Sequence, residues 1–337
     1  MRPKLSALLL SLAALAAVPA SAPAAVQVGI SENNAPMFSD PNFQALGVKT
    51  TRLVTAFNSI SAQFAGDDEI SSRVAPYLAA ANAAGIEPLV AFEHARGAAE
   101  ICKKRSNRNK PQCRLPSATE YEQNLRAFLI TFPSVRVIAP WNEANHFTQP
   151  TARNPKAAAR FTDIATRVCA ELNRGCTIIA ADVLDQANSA SAKKPKYTAT
   201  VKWIKKFRAA LTSKRTICGI HNYSDVNRFR TTGTKALIKA LGCKQYWLTE
   251  TGGLYDFASF WGKTARKRAK CSSAQNCQLK ATKYLFKLVK KYKQIKRVYV
   301  YTWFGGAQPR FDAGLVKGRP GEPTVPRRAY YEVKKRI

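Results

Sequence analysis

Two glutamates stand at the ends of short apolar runs. The first, Glu143, lies in Val135–Asn145 (VRVIAPWNEAN), where Val135, Val137 and Ile138 give way to a Trp-Asn-Glu-Ala-Asn cluster. The second, Glu250, lies in Gln245–Gly253 (QYWLTETGG) and is followed by glycines. Short runs of this kind read as strands buried on both faces. A carboxylate flanked by amides at the end of such a strand is chemically conspicuous. Two carboxylates facing one another can cleave a glycosidic bond. One, kept protonated, gives a proton to the leaving oxygen, and the other attacks the anomeric carbon or activates water. That chemistry needs a fold that brings both strand ends to one place.

The rest of the chain supplies it. Strands are predicted at Val26–Ile30, Lys49–Val54, Ile86–Phe92, the Val135 stretch, Cys176–Ala181, Thr216–Ile220, the Gln245 stretch and Val298–Thr302. Between them, helical periodicity covers Glu69–Ala84, a segment capped by Ser117 or Thr119 and running to Phe128–Ile130, Pro155 to about Leu172, Tyr197–Leu211, Thr232–Leu241 and Leu279–Tyr292. A last helix is expected over about Pro326–Lys334. Eight strand–helix alternations favour a parallel sheet with right-handed crossovers, closed into a single (β/α)8 TIM barrel. An open doubly wound sheet is the rival. Such a sheet normally carries a glycine-rich phosphate loop after its first strand, and Gly29-Ile30-Ser31-Glu32 is not one.

In a barrel all strand C-termini open on one face, where active sites are found. The parse puts Asn33, Arg52, Glu93, His94, Asn142, Glu143, Asn145, Asp182, His221, Tyr223, Glu250 and Trp303 there. Asn-Glu after strand four, Glu after strand seven, His-x-Tyr after strand six and Trp after strand eight together resemble the retaining clan A glycoside hydrolases. That clan includes cellulase-like, β-xylosidase-like and endo-β-1,3-glucanase-like families. The resemblance implies that Glu143 is the acid/base, with Asn142 on the sugar 2-hydroxyl, and that Glu250 is the nucleophile. It also implies that Tyr223 donates to Glu250, that Arg52 lies beside it, and that Trp303 is a stacking platform. His221 and Asn33 join the substrate-binding set, and Glu93, His94 and Asp182 are loop candidates for substrate contacts. The clan commonly has Pro after the acid/base Glu. This chain has Ala144, which is expected to loosen the turn without removing a catalytic group.

Other chemistries have little support. No Gly-x-Ser-x-Gly elbow is present, so a serine hydrolase is disfavoured. With three histidines and no C-x-x-C pair, neither a metal nor another cofactor is expected.

The chain start reads as a signal peptide over residues 1–24: basic Arg2 and Lys4, an apolar Leu5–Val18, and a small-residue cleavage site at Ala22-Pro23-Ala24. The hydrolase domain is then 25–337, exported and monomeric, with no transmembrane segment expected. The eight cysteines fall into neighbours, Cys102/Cys113, Cys169/Cys176, Cys218/Cys243 and Cys271/Cys277. Eight cysteines allow 105 connectivities; nearest-neighbour disulfides clipping four loops are the expected one in an oxidising compartment. The net charge is +33, about +31 without Arg2 and Lys4. That surplus points either to electrostatic association with anionic polymers or to a merely solvated basic surface. No nucleic-acid motif with stacking aromatics accompanies it. The partner expected is a polysaccharide or oligosaccharide substrate. The alternative is a catalytically idle barrel that binds anionic wall polysaccharide.

Overall fold

Eight parallel strands hydrogen-bond in chain order and close into a barrel. They are β1 (Gln27–Ser31), β2 (Thr50–Ala56), β3 (Glu87–Glu93), β4 (Val137–Ala139), β5 (Thr177–Leu184), β6 (Ile217–His221), β7 (Gln245–Thr251) and β8 (Ile295–Tyr301). The last pairing, β8 on β1, runs in register from Gln27 opposite Arg297 to Ser31 opposite Tyr301. The computed structural model describes residues 25–61, 69–95, 113–189, 195–256, 270–306 and 311–337. The expected signal peptide and Cys102 lie outside them.

Alternation along the strands builds two cores. Inward residues such as Leu89, Val137, Ile179, Trp247 and Tyr299 fill the barrel. Outward residues such as Ile30, Leu53, Val90, Ile138, Ile220 and Leu248 pack against the surrounding helices.

The helices are α1 (Pro41–Gln44), α2 (Ala75–Ala83), α3 (Ala118–Thr131), α4 (Pro155–Glu171), α5 (Thr198–Ala210), α6 (Tyr223–Asn227), α7 (Thr232–Leu241), α8 (Ala274–Lys291) and α9 (Arg328–Lys334). Ser117 caps α3 by accepting from the Glu120 amide, and Asn154 caps α4 with Pro155 in the first turn. The helix predicted over Glu69–Ala84 is divided. Ile70–Val74 forms a π turn and α2 begins at Ala75, which places Pro76 in the first α-helical turn, where its missing N–H does no harm. A small sheet, β9 (Phe304–Gly305), β10 (Val316–Lys317) and β11 (Val325–Pro326), straps the chain after β8.

Disulfides join Cys169 to Cys176, Cys218 to Cys243 and Cys271 to Cys277, as the spacing led us to expect. No helix among the described residues is long and apolar enough to cross a membrane.

Candidate active site

The strand C-termini surround a cleft of about 610 Å3, whose lining includes Asn142, Glu143, Tyr223, Glu250 and Tyr301. Backbone irregularities decide which side chains reach it. In β7, Trp247 points into the barrel and Leu248 toward the helices. Strict alternation would send Thr249 inward and Glu250 outward. Instead, three steps along β7 from Trp247 to Glu250 match two along β6 from Gly219 to His221. The bulge lets Thr249 and Glu250 both face the barrel axis.

The same device acts in β5. Three steps from Ile179 to Asp182 match two on β6, so Ala180 and Ala181 both pack outward and Asp182 turns inward. Opposite it stands Gly219, where a β-carbon would lie 2.2 Å from Asp182 Oδ1. The interior carboxylate therefore requires glycine at that position.

Glu143 sits on the turn after β4. Trp141 anchors that turn, buried against Phe57, Tyr121 and Phe161, with its Nε1 donating to Gln149 at 2.9 Å. The Asn142 amide donates to the Phe92 carbonyl and the Ala144 amide to the Asp182 carbonyl at 3.0 Å. The second bond explains Ala144, because a proline there has no N–H to give. The turn is pinned, not loosened. Between these two bonds Glu143 has φ +44°, a left-handed conformation that costs a non-glycine residue about 1–3 kcal/mol.

The two glutamates meet. One carboxylate oxygen from each, together with a His221 ring nitrogen, lie within 4.8 Å of one another. Glu250 accepts from Tyr223 Oη at 3.1 Å on one oxygen and from Arg52 at 2.8 Å on the other. Arg52, fully buried, also donates to Asn142 Oδ1 at 2.6 Å and to Asp182 at 3.2 Å. His221 bridges Asp182 and Glu143, with Nε2 3.1 Å from Asp182 and Nδ1 3.0 Å from Glu143. A strand-end network thus ties both glutamates to one buried carboxylate, Asp182.

A family comparison decides what such a network belongs to. Residues 114–327 match the model of the glycosyl hydrolase catalytic core. The chain belongs to that family. It is a glycoside hydrolase. Solved structures similar in fold include a psychrophilic family 10 endo-β-1,4-xylanase (TM-score 0.55, 13% identity, covering 92% of this chain and 96% of that one). A β-glucosidase from Thermotoga maritima in complex with azafagomine is also similar (TM-score 0.58, 11% identity, 93% and 97%). So is Gas2p of Saccharomyces cerevisiae bound to laminaritetraose and laminaripentaose (TM-score 0.53, 12% identity, 93% and 63%), of whose length this chain spans less than two thirds. No curated protein sequence matches it.

Charge in the hydrolase site is distributed by these contacts. Burial works against the anion of Asp182, yet the charge of His221, with Arg52 and the Thr249 hydroxyl, brings it down to about 2. Burial likewise works against the charged ring of His221, but Asp182 and Glu250, and then its bond to Glu143, push it up to about 10. For Glu143 burial opposes ionisation, and the hydrogen bond and charge of His221 outweigh it, holding the carboxyl below the usual range. The proton an acid needs therefore rests on His221 in the free enzyme, 3.0 Å from Glu143.

Glu143, His221 and Glu250 are, among the described residues, the one group close enough to hold a metal ion. Both ring nitrogens of His221 face carboxylates, Nε2 toward Asp182 and Nδ1 toward Glu143, so a metal there would have to displace the Glu143 contact.

The residues expected from sequence divide into three sets. Asn142, Glu143, Tyr223, Glu250, Asn33 and Glu93 line the cleft. Arg52, His221 and Asp182 are fully buried beneath it, bonded to the glutamates and to one another. Trp303 corrects the expectation of a platform. It is wholly buried, packed on Phe43 and Tyr330, with Nε1 donating to Asp40 at 2.8 Å. His94 turns its Nδ1 to the Ala95 carbonyl, and Asn145 bonds both backbone groups of Leu184 across the neighbouring strand end.

Tyr301 and Phe147 are among the cleft residues that were missed. Tyr301 closes β8 on its inward side, and Phe147, 75% exposed, sits on the rim four residues after Glu143. The inward phase of Tyr299 would have identified Tyr301, whereas nothing local marks Phe147.

Proposed function

We propose that the protein cleaves β-glycosidic bonds by retaining double displacement, with Glu250 as nucleophile and Glu143 as acid/base. The observation that carries this is the close approach of the two carboxylates, within 4.8 Å oxygen to oxygen. Retaining enzymes hold the pair about 5–5.5 Å apart, and inverting enzymes leave room for a water at roughly 6.5–9.5 Å. Arg52 supplies the counter-charge that steadies Glu250, and Tyr223 fixes the orientation of its second oxygen.

In the first step Glu250 attacks the anomeric carbon while the proton on His221 Nδ1 passes through Glu143 to the leaving oxygen. In the second, Glu143 takes a proton from water, which attacks the glycosyl-enzyme. The proton taken from water then returns from Glu143 to His221, recharging the ring at the end of the cycle, and Asp182 keeps that ring oriented throughout. The β-linkage is supported by the neighbours named as β-xylanase and β-glucosidase. Export is part of the same reading, supported by the disulfides and by the signal-like residues 1–24.

Hydrolysis of aryl β-glycosides tests it. Glu250→Ala should abolish turnover on every substrate. Glu143→Ala should spare good leaving groups in the first step, and added azide should restore turnover as the β-glycosyl azide. Inversion at the anomeric carbon by the unmodified enzyme would overturn the assignment of Glu250. An idle barrel would release no product at all.

A further inference from the structure

The positive charge of this chain is not spread evenly. Residues 195–306 contain 25 Lys and Arg but three carboxylates, Asp225, Glu250 and Asp256. The first two are held by the active-site half of the barrel, Asp225 buried and Glu250 in the cleft. The outer helices α5, α7 and α8 carry no acidic residue at all. They are neighbours: α5 packs on α7, and α6 joins α7 to α8.

Their lysines form stripes. Lys202, Lys205 and Lys206 lie on α5, Lys235 and Lys239 on α7, and Lys280, Lys283, Lys287 and Lys290 on α8, all exposed. Spacings of three and four residues place each set along one helix face. Lys214, Lys244, Lys293 and Lys296 extend the field onto the strand N-termini, opposite the catalytic cleft.

We infer that this face is an anchoring surface for a linear acidic polysaccharide, separate from the cleft and independent of the retaining mechanism. Three observations favour that partner. First, among the described residues every salt bridge is made by Arg or His and none by Lys. Arginine holds the fold together, while the stripe lysines make no ion pair among the described residues, although Lys280 donates to the Lys270 carbonyl.

Second, helix dipoles account for only part of the pattern. Cations are favoured in a last turn, as for Lys239 or Lys290. Lys202, Lys235, Lys280 and Lys283 lie earlier, where like charges at helical spacing weaken the helix.

Third, among the described residues the face has no large exposed hydrophobic side chain. It therefore has neither the apolar wedge that inserts into lipid nor the aromatic platforms that stack bases. The only arginine on these three helices, Arg208, spends one terminal nitrogen on the Ala240 carbonyl, so the helices present lysines rather than guanidinium forks for bidentate phosphate contacts. Hydrated point charges on stiff helices suit a hydrated, carboxylate-bearing chain that can slide along them.

Retention of the full exported protein on immobilised polygalacturonate tests this. Lys283→Gln, Lys287→Gln and Lys290→Gln together should weaken retention about tenfold or more at low salt, since each surface lysine near an anionic array matters severalfold. A control of equal charge change, Lys49→Gln, Lys156→Gln and Lys317→Gln, should change it less than about twofold on the same basis. Retention by the unmodified protein should fall steeply as salt rises. Turnover of a small neutral aryl glycoside should be the same in all three proteins. Equal weakening by the control would show that net charge, not this face, binds. Tighter retention on a single-stranded oligonucleotide of matched charge, or on anionic vesicles, would overturn the choice of glycan.

Discussion

At the scale of single residues the unusual feature is where the proton sits. As the expected acid/base, Glu143 was to hold the proton itself. His221, pushed up to about 10 and lying between Asp182 and Glu143, is placed to hold it instead. His221→Asn should therefore move the alkaline limb of kcat/KM to lower pH, and the loss should be larger for poor leaving groups than for good ones. An unmoved limb would place the catalytic proton elsewhere. Stability follows the same linkage. His221, raised from about 6.5 to about 10, contributes fully below pH 6.5 and loses its contribution as pH rises through 10. Asp182, lowered from 3.8 to about 2, contributes above 3.8 and loses its contribution as pH falls through 2. Thermal unfolding should therefore plateau between about pH 4 and 6.5, and the alkaline decline should shrink in His221→Asn.

A second residue-scale prediction concerns the two aromatics at the end of β8. Tyr301→Ala should raise KM on oligosaccharides about tenfold, the order of one lost sugar contact, and leave Tm nearly unchanged. Trp303→Ala should destabilise by about 3–5 kcal/mol. The reverse pattern would restore Trp303 as the platform. The chemistry-bearing glutamates were legible because type and strand-end position coincide in one stretch. Trp303 misled because size was read without phase. The inward stripe of β8 runs Tyr299, Tyr301, and Trp303 has already left the strand.

At the scale of elements, strands could be read wherever β-branched residues cluster, and helices wherever a cap and a 3.6-residue period coincide. What could not be read is register between strands. The bulges in β5 and β7 turn Asp182 and Glu250 inward, and each is defined only against its partner strand. Asp182 therefore read as a loop residue, whereas β5 continues through it to Leu184. Closure of the barrel adds a second such feature. Glu32, in the loop after β1, accepts on one oxygen from the Asn33 and Asn34 amides and on the other from the Trp303 and Phe304 amides and the Thr302 hydroxyl. It ties the first strand to the exit of the last. Glu32→Gln replaces one acceptor oxygen by a donor facing donors, so a loss of about 2–3 kcal/mol is expected in chemical denaturation. The Cys218–Cys243 bridge spans 25 residues and links β6 to the entry of β7. Its removal should cost about 3 kcal/mol, more than removal of Cys271–Cys277, which spans 6.

For the whole molecule, eight repeats of one alternation made the barrel legible before any contact was known, because sheet closure depends on element order more than on side-chain detail. The direction of the surface charge was less accessible, since only the folded ring of helices shows which lysines become neighbours. That arrangement has a thermodynamic consequence. A chain of net charge +33 repels itself, and its lysines form no compensating ion pairs among the described residues. The buried pairs that do hold the fold, such as Arg52 with Asp182 and Arg327 with Asp312, are shielded from salt. Raising ionic strength from about 0.01 M to 0.15 M shortens the Debye length from about 30 Å to 8 Å, which screens the lysine field and leaves the buried pairs largely intact. The melting temperature should therefore rise with sodium chloride over that range. A soluble polyuronide should produce the same rise at low salt in the unmodified protein, and a smaller one after Lys283, Lys287 and Lys290 are changed to Gln. A melting temperature that falls with salt would mean that exposed ion pairs, not lysine repulsion, dominate the surface.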